Sequence, residues 1–295
     1  MKRITAVIMA LVLVSTLALA GCSKKDDKTI RIAHKNYTEQ RITGPLMAVY
    51  IEEKTDYKTE VTELGGTMLC YGALKNDEID MCAEFTGSAY GAILEQTQVL
   101  SPQETYDYVK KTCEEKDGIT WLKPLGWNNT YILSVRQETA EELNLKTISD
   151  LVPVAKDMIL GSDNEFIIRT DGLPGFTEKY GLEFKEVTPM DQGLTYAALK
   201  EGQLDVNVSW STDGRIKKFD LVNLEDDLGY FPPYYVTPIM KMTFADANPD
   251  IVELLNELGG NWTEADMQGY NLLVDEGANA TDVARNMLKD KGLIS

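Results

Sequence analysis

Four aromatic residues far apart in the chain, Phe85, Tyr131, Trp210 and Tyr234, have the types and placement that could do chemistry together. Trp210 closes an alternating run in which Leu204, Val206 and Val208 oppose Asp205, Asn207 and Ser209, the pattern of a strand with one apolar face. Ser211-Thr212-Asp213-Gly214 then supplies turn and helix-start residues before Arg215 and Ile216. The indole therefore falls beyond the carboxyl end of a strand, where an α/β sheet meets its ligand. Phe85 holds the matching place: Tyr71, Ala73, Leu74, Lys75, Ile79, Asp80 and Phe85 lie 125 residues ahead of Tyr196, Ala198, Leu199, Lys200, Leu204, Asp205 and Trp210. The register reads as one helix-then-strand unit built twice, the alternative being the commonness of Ala-Leu-Lys as a way to leave a helix. A doubled unit points Phe85 and Trp210 toward one cleft between two similar lobes. Tyr131 and Tyr234 fall on the two segments expected to cross between those lobes. Any one ring alone reads as core, but four from distant positions suggest an aromatic box. Rings attract a quaternary ammonium by about 0.5 to 2 kcal/mol each, a substantial part of the roughly 8 kcal/mol needed for micromolar affinity.

Arg169 follows the apolar run Phe166-Ile167-Ile168, which reads as a strand, and is a candidate to hold a ligand carboxylate through its two-pronged guanidinium. A structural ion pair with Asp171 or another acid is the alternative. The single histidine, His34, excludes His-rich zinc motifs and is the only candidate histidine base; it reads as a strand-end residue near the cleft. No GxSxG, HExxH, Walker A or GxGxxG pattern accompanies it, so catalysis, a metal or a cofactor is not expected.

Lys2 and Arg3 precede an apolar run from Ile4 to Ala20, the charge and length of a secretory signal and short for a membrane span. The ending Leu19-Ala20-Gly21-Cys22 resembles a bacterial lipobox, which implies cleavage before Cys22 and acylation of its thiol. An uncleaved anchor is the alternative. Residues 22–28 then form a lipidated tether that holds the protein on the outer face of the cell membrane. Without Lys2 and Arg3 the chain keeps 27 basic against 47 acidic residues, about −20, which argues against nucleic acid. Hydrophobic residues make up 43%, ample for buried cores. Cys70, Cys82 and Cys113 are an odd set that cannot pair completely; Cys70 and Cys82 read as buried free thiols, with a disulfide between them as the alternative.

To position the rings, the chain must build successive βα units. Ile30 and Ile32 run as a strand into His34 and Lys35. Asn36-Tyr37-Thr38 then caps a helix with the stripe Ile42, Leu46, Val49 and Tyr50, and Gln40 lies in its first turn. Thr67 reads as the N-cap of the first repeat helix, and Ser101-Pro102-Gln103-Glu104 as a capping box with proline at the first helical position. Thr130 to Val135 should cross into a second lobe, and Phe231-Pro232-Pro233-Tyr234-Tyr235 should return extended, since two prolines remove backbone donors. The division expected is residues 29–132 with 238–295 as lobe 1 and 133–237 as lobe 2, with residues 1–21 as signal and three C-terminal helices completing lobe 1.

The motifs KNYTEQ at 35–40, LGGT at 64–67, EIDMCAEFTGS at 78–88, PLGWNNTY at 124–131, TISDL at 147–151, WSTDGRI at 210–216 and LEDDLGYFPPY at 224–234 together resemble the substrate-binding proteins of osmoprotectant ABC transporters, the glycine betaine, carnitine and choline-binding family. The resemblance covers nearly all of the chain beyond the signal. It implies an α/β, two-lobed type II periplasmic-binding fold hinged by two crossings, with no cofactor. It also implies a monomer that closes on a quaternary amine and delivers it to a membrane permease driven by a separate ATPase subunit. By motif, Tyr131, Trp210 and Tyr234 match cage aromatics, Lys35 and Arg169 match groups that hold a carboxylate, and Gln40 matches a polar contact. Trp210, Cys82 and Phe85 stand where the family usually or often has tyrosine, which changes the shape and hydroxyl content of the cage. Selection of another small solute such as an amino acid by the same fold, or a secreted hydrolase, are the competing expectations.

Overall fold

The structure, a computed structural model, describes residues 29–295; the signal, Cys22 and the tether lie outside the described residues. Two five-stranded sheets organise the described residues. The first has the order β2–β1–β3–β10–β4 and contains β1 (Thr29–Lys35), β2 (Lys58–Gly65), β3 (Met81–Phe85), β4 (Ile119–Trp121) and β10 (Val236–Lys241). The second has the order β7–β6–β8–β5–β9 and contains β5 (Tyr131–Arg136), β6 (Ile159–Ser162), β7 (Glu186–Pro189), β8 (Val206–Trp210) and β9 (Leu221–Leu224). In each sheet the first three strands of that order are parallel, and the fourth runs antiparallel: β10 on β3, and β5 on β8. That fourth strand is the one arriving from the other sheet, so each lobe is closed by a strand that follows a crossing. This is the two-lobed type II architecture.

The doubled unit is visible in the element bounds. Helix α2 (Thr67–Lys75) and β3 recur 125 residues later as α7 (Gln192–Lys200) and β8. Both strands are buried, so their apolar residues need not alternate strictly, and each ends in an aromatic ring that leaves the sheet. Helix α1 (Thr38–Lys54) buries Ile42, Leu46, Val49 and Tyr50 against the first sheet and the C-terminal helices α10 (Pro249–Glu257), α11 (Glu264–Asp275) and α12 (Ala280–Asp290). Helix α3 (Pro102–Asp117) starts at the expected capping box, with Ser101 and Glu104 bonded reciprocally. Helix α4 spans Gln137–Leu143, α6 Leu173–Tyr180, α8 Arg215–Lys218 and α9 Met242–Ala247.

Two local expectations are corrected. The run Phe166 to Ile168 is not a strand but part of the one-turn helix α5 (Asn164–Ile168), started by Asp163, whose carboxylate accepts from the Phe166 N–H at 2.9 Å. Thr67 is the first residue of α2 rather than its cap; Gly66 holds the cap position, and the Thr67 hydroxyl is engaged by Lys35 Nζ at 2.7 Å. Cys70, Cys82 and Cys113 are buried free thiols, and burial pushes the Cys70 thiol up to about 12.

Residues 122–130 and 225–235 connect the sheets. They are tied to each other by a bridge between Asn128 and Tyr235, by the Asn129 N–H donating to Tyr234 O at 2.9 Å, and by the Tyr234 N–H donating to Asn128 Oδ1 at 2.7 Å. Pro232 and Pro233 sit in the extended return, where no ladder donor is missed.

Candidate ligand-binding site

A cavity of about 520 Å³ lies between the sheets at the carboxyl ends of their parallel strands, the size and place expected of a small-molecule site. Of the residues expected from sequence, Lys35, Tyr131, Arg169 and Trp210 line it. Tyr131 and Trp210 are direct cross-strand neighbours in the β5–β8 pairing, which sets their ring centroids 4.0 Å apart. Tyr234 is buried behind them, edge-on to Tyr131 at 5.4 Å. Close approach of Gly87 makes room for the Tyr234 ring, since a Cβ there would lie 2.6 Å from it. Phe85 is 2% exposed and its face is covered by Lys35 Nζ at 5.1 Å. Gln40 is fully buried and does not line the cavity; its Oε1 accepts from the Lys35 N–H at 3.5 Å. His34 is buried beside Gly44, its Nδ1 2.8 Å from Lys35 O.

Tyr37 is the ring that motif reasoning passes over. It lines the cavity between the two equivalent strand-end rings, parallel to Trp210 at 5.9 Å and tilted against Phe85 at 6.5 Å. The signal for it was topological: Tyr37 stands just past the carboxyl end of β1, and Phe85 and Trp210 are the last residues of β3 and β8. Two buried hydrogen-bonding atoms at the rings, Trp210 Nε1 and the Tyr234 hydroxyl, have no partner among the described residues.

The lining carries four cationic side chains, Lys35, Arg41, Arg169 and Arg215, against six carboxylates, Glu39, Asp163, Glu165, Asp191, Asp213 and Asp275. Each cation is already paired. Lys35 meets Glu84 at 2.5 Å, with both side chains buried; Arg41 meets Glu63 at 2.7 Å. Arg169 holds Asp171 by two bonds, of 2.9 and 2.5 Å, and Glu165 at 3.3 Å. Arg215 holds Asp213 by two bonds and reaches Asp275 at 3.3 Å, with its guanidinium 4.4 Å from the Tyr196 ring. The excess of carboxylates gives the cavity a negative field that favours a cation.

Glu39, in the first turn of α1, is the other group that sequence reasoning passes over. Its Oε1 accepts from Trp127 Nε1 at 2.9 Å and Asn129 Nδ2 at 3.0 Å; its Oε2 accepts from Thr212 Oγ1 at 2.5 Å and Asn271 Nδ2 at 3.2 Å. One carboxylate thus joins the first lobe, a crossing, the end of β8 and α11. Burial pushes its carboxyl up, and the four hydrogen bonds counter this only in part.

Fold and cavity together define a bilobal solute-binding protein, with a ring-lined cleft where the two sheets meet. The sequence profile of the substrate binding domain of ABC-type glycine betaine transport systems matches residues 28–290, and the chain belongs to that family, whose members are extracytoplasmic receptors of ABC importers. It is 36% identical over 284 residues to the carnitine transport binding protein OpuCC of Listeria monocytogenes, covering 93% of this chain and 92% of that one. Over 290 residues it is 34% identical to a glycine-betaine-binding protein of Pseudomonas aeruginosa, covering 94% and 92%. The crystal structure of a glycine betaine/carnitine/choline ABC transporter superposes with a TM-score of 0.73 at 31% identity, over 88% of this chain and 98% of that one. Among the described residues no helix is long and apolar enough to cross a membrane.

Proposed function

We propose that this chain captures a quaternary ammonium compound outside the cell and hands it to an ABC permease driven by a separate ATPase subunit. The observation that carries the reading is the meeting of Tyr37, Tyr131 and Trp210 on one cavity whose carboxylates outnumber its cations. Ring faces and negative charge both favour a cation, and rings suit one that cannot donate hydrogen bonds. The relatives named for carnitine and glycine betaine support the class.

In this reading Tyr131, Trp210 and Tyr37 are the cage walls, and Tyr234 and Phe85 back them. Lys35 and Arg169 set the charge at the polar end, and Gln40 holds the Lys35 backbone in place. The lobes, 29–132 with 238–295 and 133–237, close about the two crossings, and a ligand touching both shifts the population toward the closed form that the permease recognises. The protein acts by binding rather than turnover, as a monomer without a cofactor. Acylated Cys22 anchors it to the cell membrane, two or more acyl chains being needed for a stable anchor.

A thermal-shift panel with choline, glycine betaine, carnitine and ordinary amino acids tests the reading. A ligand at a hundredfold excess over its Kd adds about 2.7 kcal/mol to stability, which is readily seen. Stabilisation by trimethylammonium compounds alone is expected; a response to primary amines only, or to none of the panel, overturns the assignment.

A further inference from the structure

We infer that Glu165 makes this site selective for cationic quaternary ammonium compounds without a carboxylate, choline being the simplest, over zwitterionic betaines; the inference rests on the quaternary ammonium reading above. A betaine needs two complementary places, rings for its ammonium and free positive groups for its carboxylate. The second is already filled by the protein. Lys35 Nζ lies 2.5 Å from Glu84 Oε1 and 2.7 Å from Thr67 Oγ1, inside a buried pair that a ligand anion would have to break. Arg169 spends its two-pronged face on Asp171.

The N-terminus of α2 also attracts anions, and Glu165 occupies it. The Thr67 N–H points to Glu165 Oε1 at 3.4 Å, and a Cβ added to Gly66 would lie 2.7 Å from Glu165 Oε2, so the missing side chain at the cap position is what admits this carboxylate. The doubled unit supplies an internal comparison. Helix α7 carries its own cap, Asp191, which accepts from the Gly193 N–H at 3.0 Å; its counterpart α2 has none and takes its carboxylate from the opposite lobe. Burial alone would raise the Glu165 carboxyl, but Lys35, Arg169 and the Thr67 bonds outweigh it and hold it below the ordinary range, so it is charged at neutral pH. The same charge reaches the rings. Glu165 lines the same cavity as Tyr37, Tyr131 and Trp210, and after burial and other acids it makes a smaller contribution to the rise at the Tyr37, Tyr131 and Tyr234 hydroxyls.

An ammonium seated at those rings shares the cavity with an anion whose two nearby cations are only partly its own: Lys35 pairs with Glu84, and Arg169 gives its two-pronged face to Asp171 and a single bond at 3.3 Å to Glu165. A ligand carboxylate in the same cavity must either displace Glu165 from α2 and Arg169 or sit against it. The preference is therefore set by a side chain of the second lobe that stands in for half of the ligand.

The test measures affinities of the purified full-length chain in detergent, and of its Glu165→Gln variant, for choline, glycine betaine and glycine betaine methyl ester. The ester keeps the shape of the betaine while removing its negative charge. The wild type is expected to bind choline and the ester at least about tenfold more tightly than glycine betaine, the scale of one unit charge at contact range in a half-buried site. In the variant the choline-to-betaine ratio is expected to fall by roughly tenfold. The ester comparison needs no substitution, so the inference stays exposed even where the variant fails to fold. Glycine betaine binding as tightly as its ester in the wild type, or an unchanged ratio in a folded variant, overturns the role of Glu165 while leaving quaternary ammonium binding intact. Binding of none of the three removes the parent reading, and this inference with it.

Discussion

Single residues divide into those whose role is carried by type and those whose role is carried by place. Trp210 and Tyr131 are of the first kind: a ring at a strand end and a ring at a crossing stand out in the sequence, and the structure sets them side by side. Tyr37 is of the second kind. In KNYTEQ it reads as a helix-entry residue, and its membership of the ring cluster depends on β1 ending level with β3 and β8, a property of the sheets rather than of the motif. Tyr37→Ala and Trp210→Ala should each weaken choline binding by more than about tenfold, the worth of a desolvated ring face. Calorimetric titration checks this, and an affinity left unchanged by either substitution takes that ring out of the site. Phe85→Leu, by contrast, touches a ring whose face belongs to Lys35, so any effect on binding would arrive through the Lys35–Glu84 pair.

At the scale of elements, what is local in sequence is legible and what needs a partner from far away is not. The capping box at Ser101 to Glu104 closes within four residues and is found where it is expected. Ser101→Ala removes the hydroxyl that accepts from the Glu104 N–H and should lower stability by about 1 kcal/mol, measured as a shift of the urea midpoint at constant slope. The repeat is legible for a similar reason, since helix and strand recur at a fixed offset and each copy carries its own pattern. The stretch Phe166 to Ile168 defeats a sequence reading because three consecutive apolar residues fit a buried strand or one helical turn equally well, and Asp163 decides for the turn. Glu39 and Glu165 were illegible altogether. The partners that give them meaning lie at 127, 129, 212 and 271 for one and at 67 for the other, and in a chain with 47 acidic residues neither stands out.

For the whole molecule, Glu39 is where both lobes, a crossing and the C-terminal helices share one hydrogen-bonding centre. Glu39→Ala leaves the Trp127, Asn129 and Thr212 donors without an acceptor in a buried place, Asn271 keeping its bond to Thr212 O, and should cost roughly 3 kcal/mol or more. The carboxyl of Glu39 is raised above 4.5 in the folded chain, so the folded form binds its proton more tightly than the unfolded form does. Its contribution therefore favours folding at low pH and is lost as pH rises through the raised value. The stability of the wild type relative to Glu39→Gln should accordingly improve as pH falls from 7 toward 4.5; denaturant melts of both proteins across that range check the sign, and a difference that moves the other way refutes the assignment.

The two crossings are laced together by Asn128, Asn129, Tyr234 and Tyr235 rather than running separately. In mechanical terms a laced pair of straps resists stretching and sliding and leaves one soft coordinate, a bend across the lacing. A body with one soft coordinate has one angle to report. On the closure proposed above, a partner docked on the outside of both lobes would read occupancy as a single number, and the ligand would need only to set that angle to be announced.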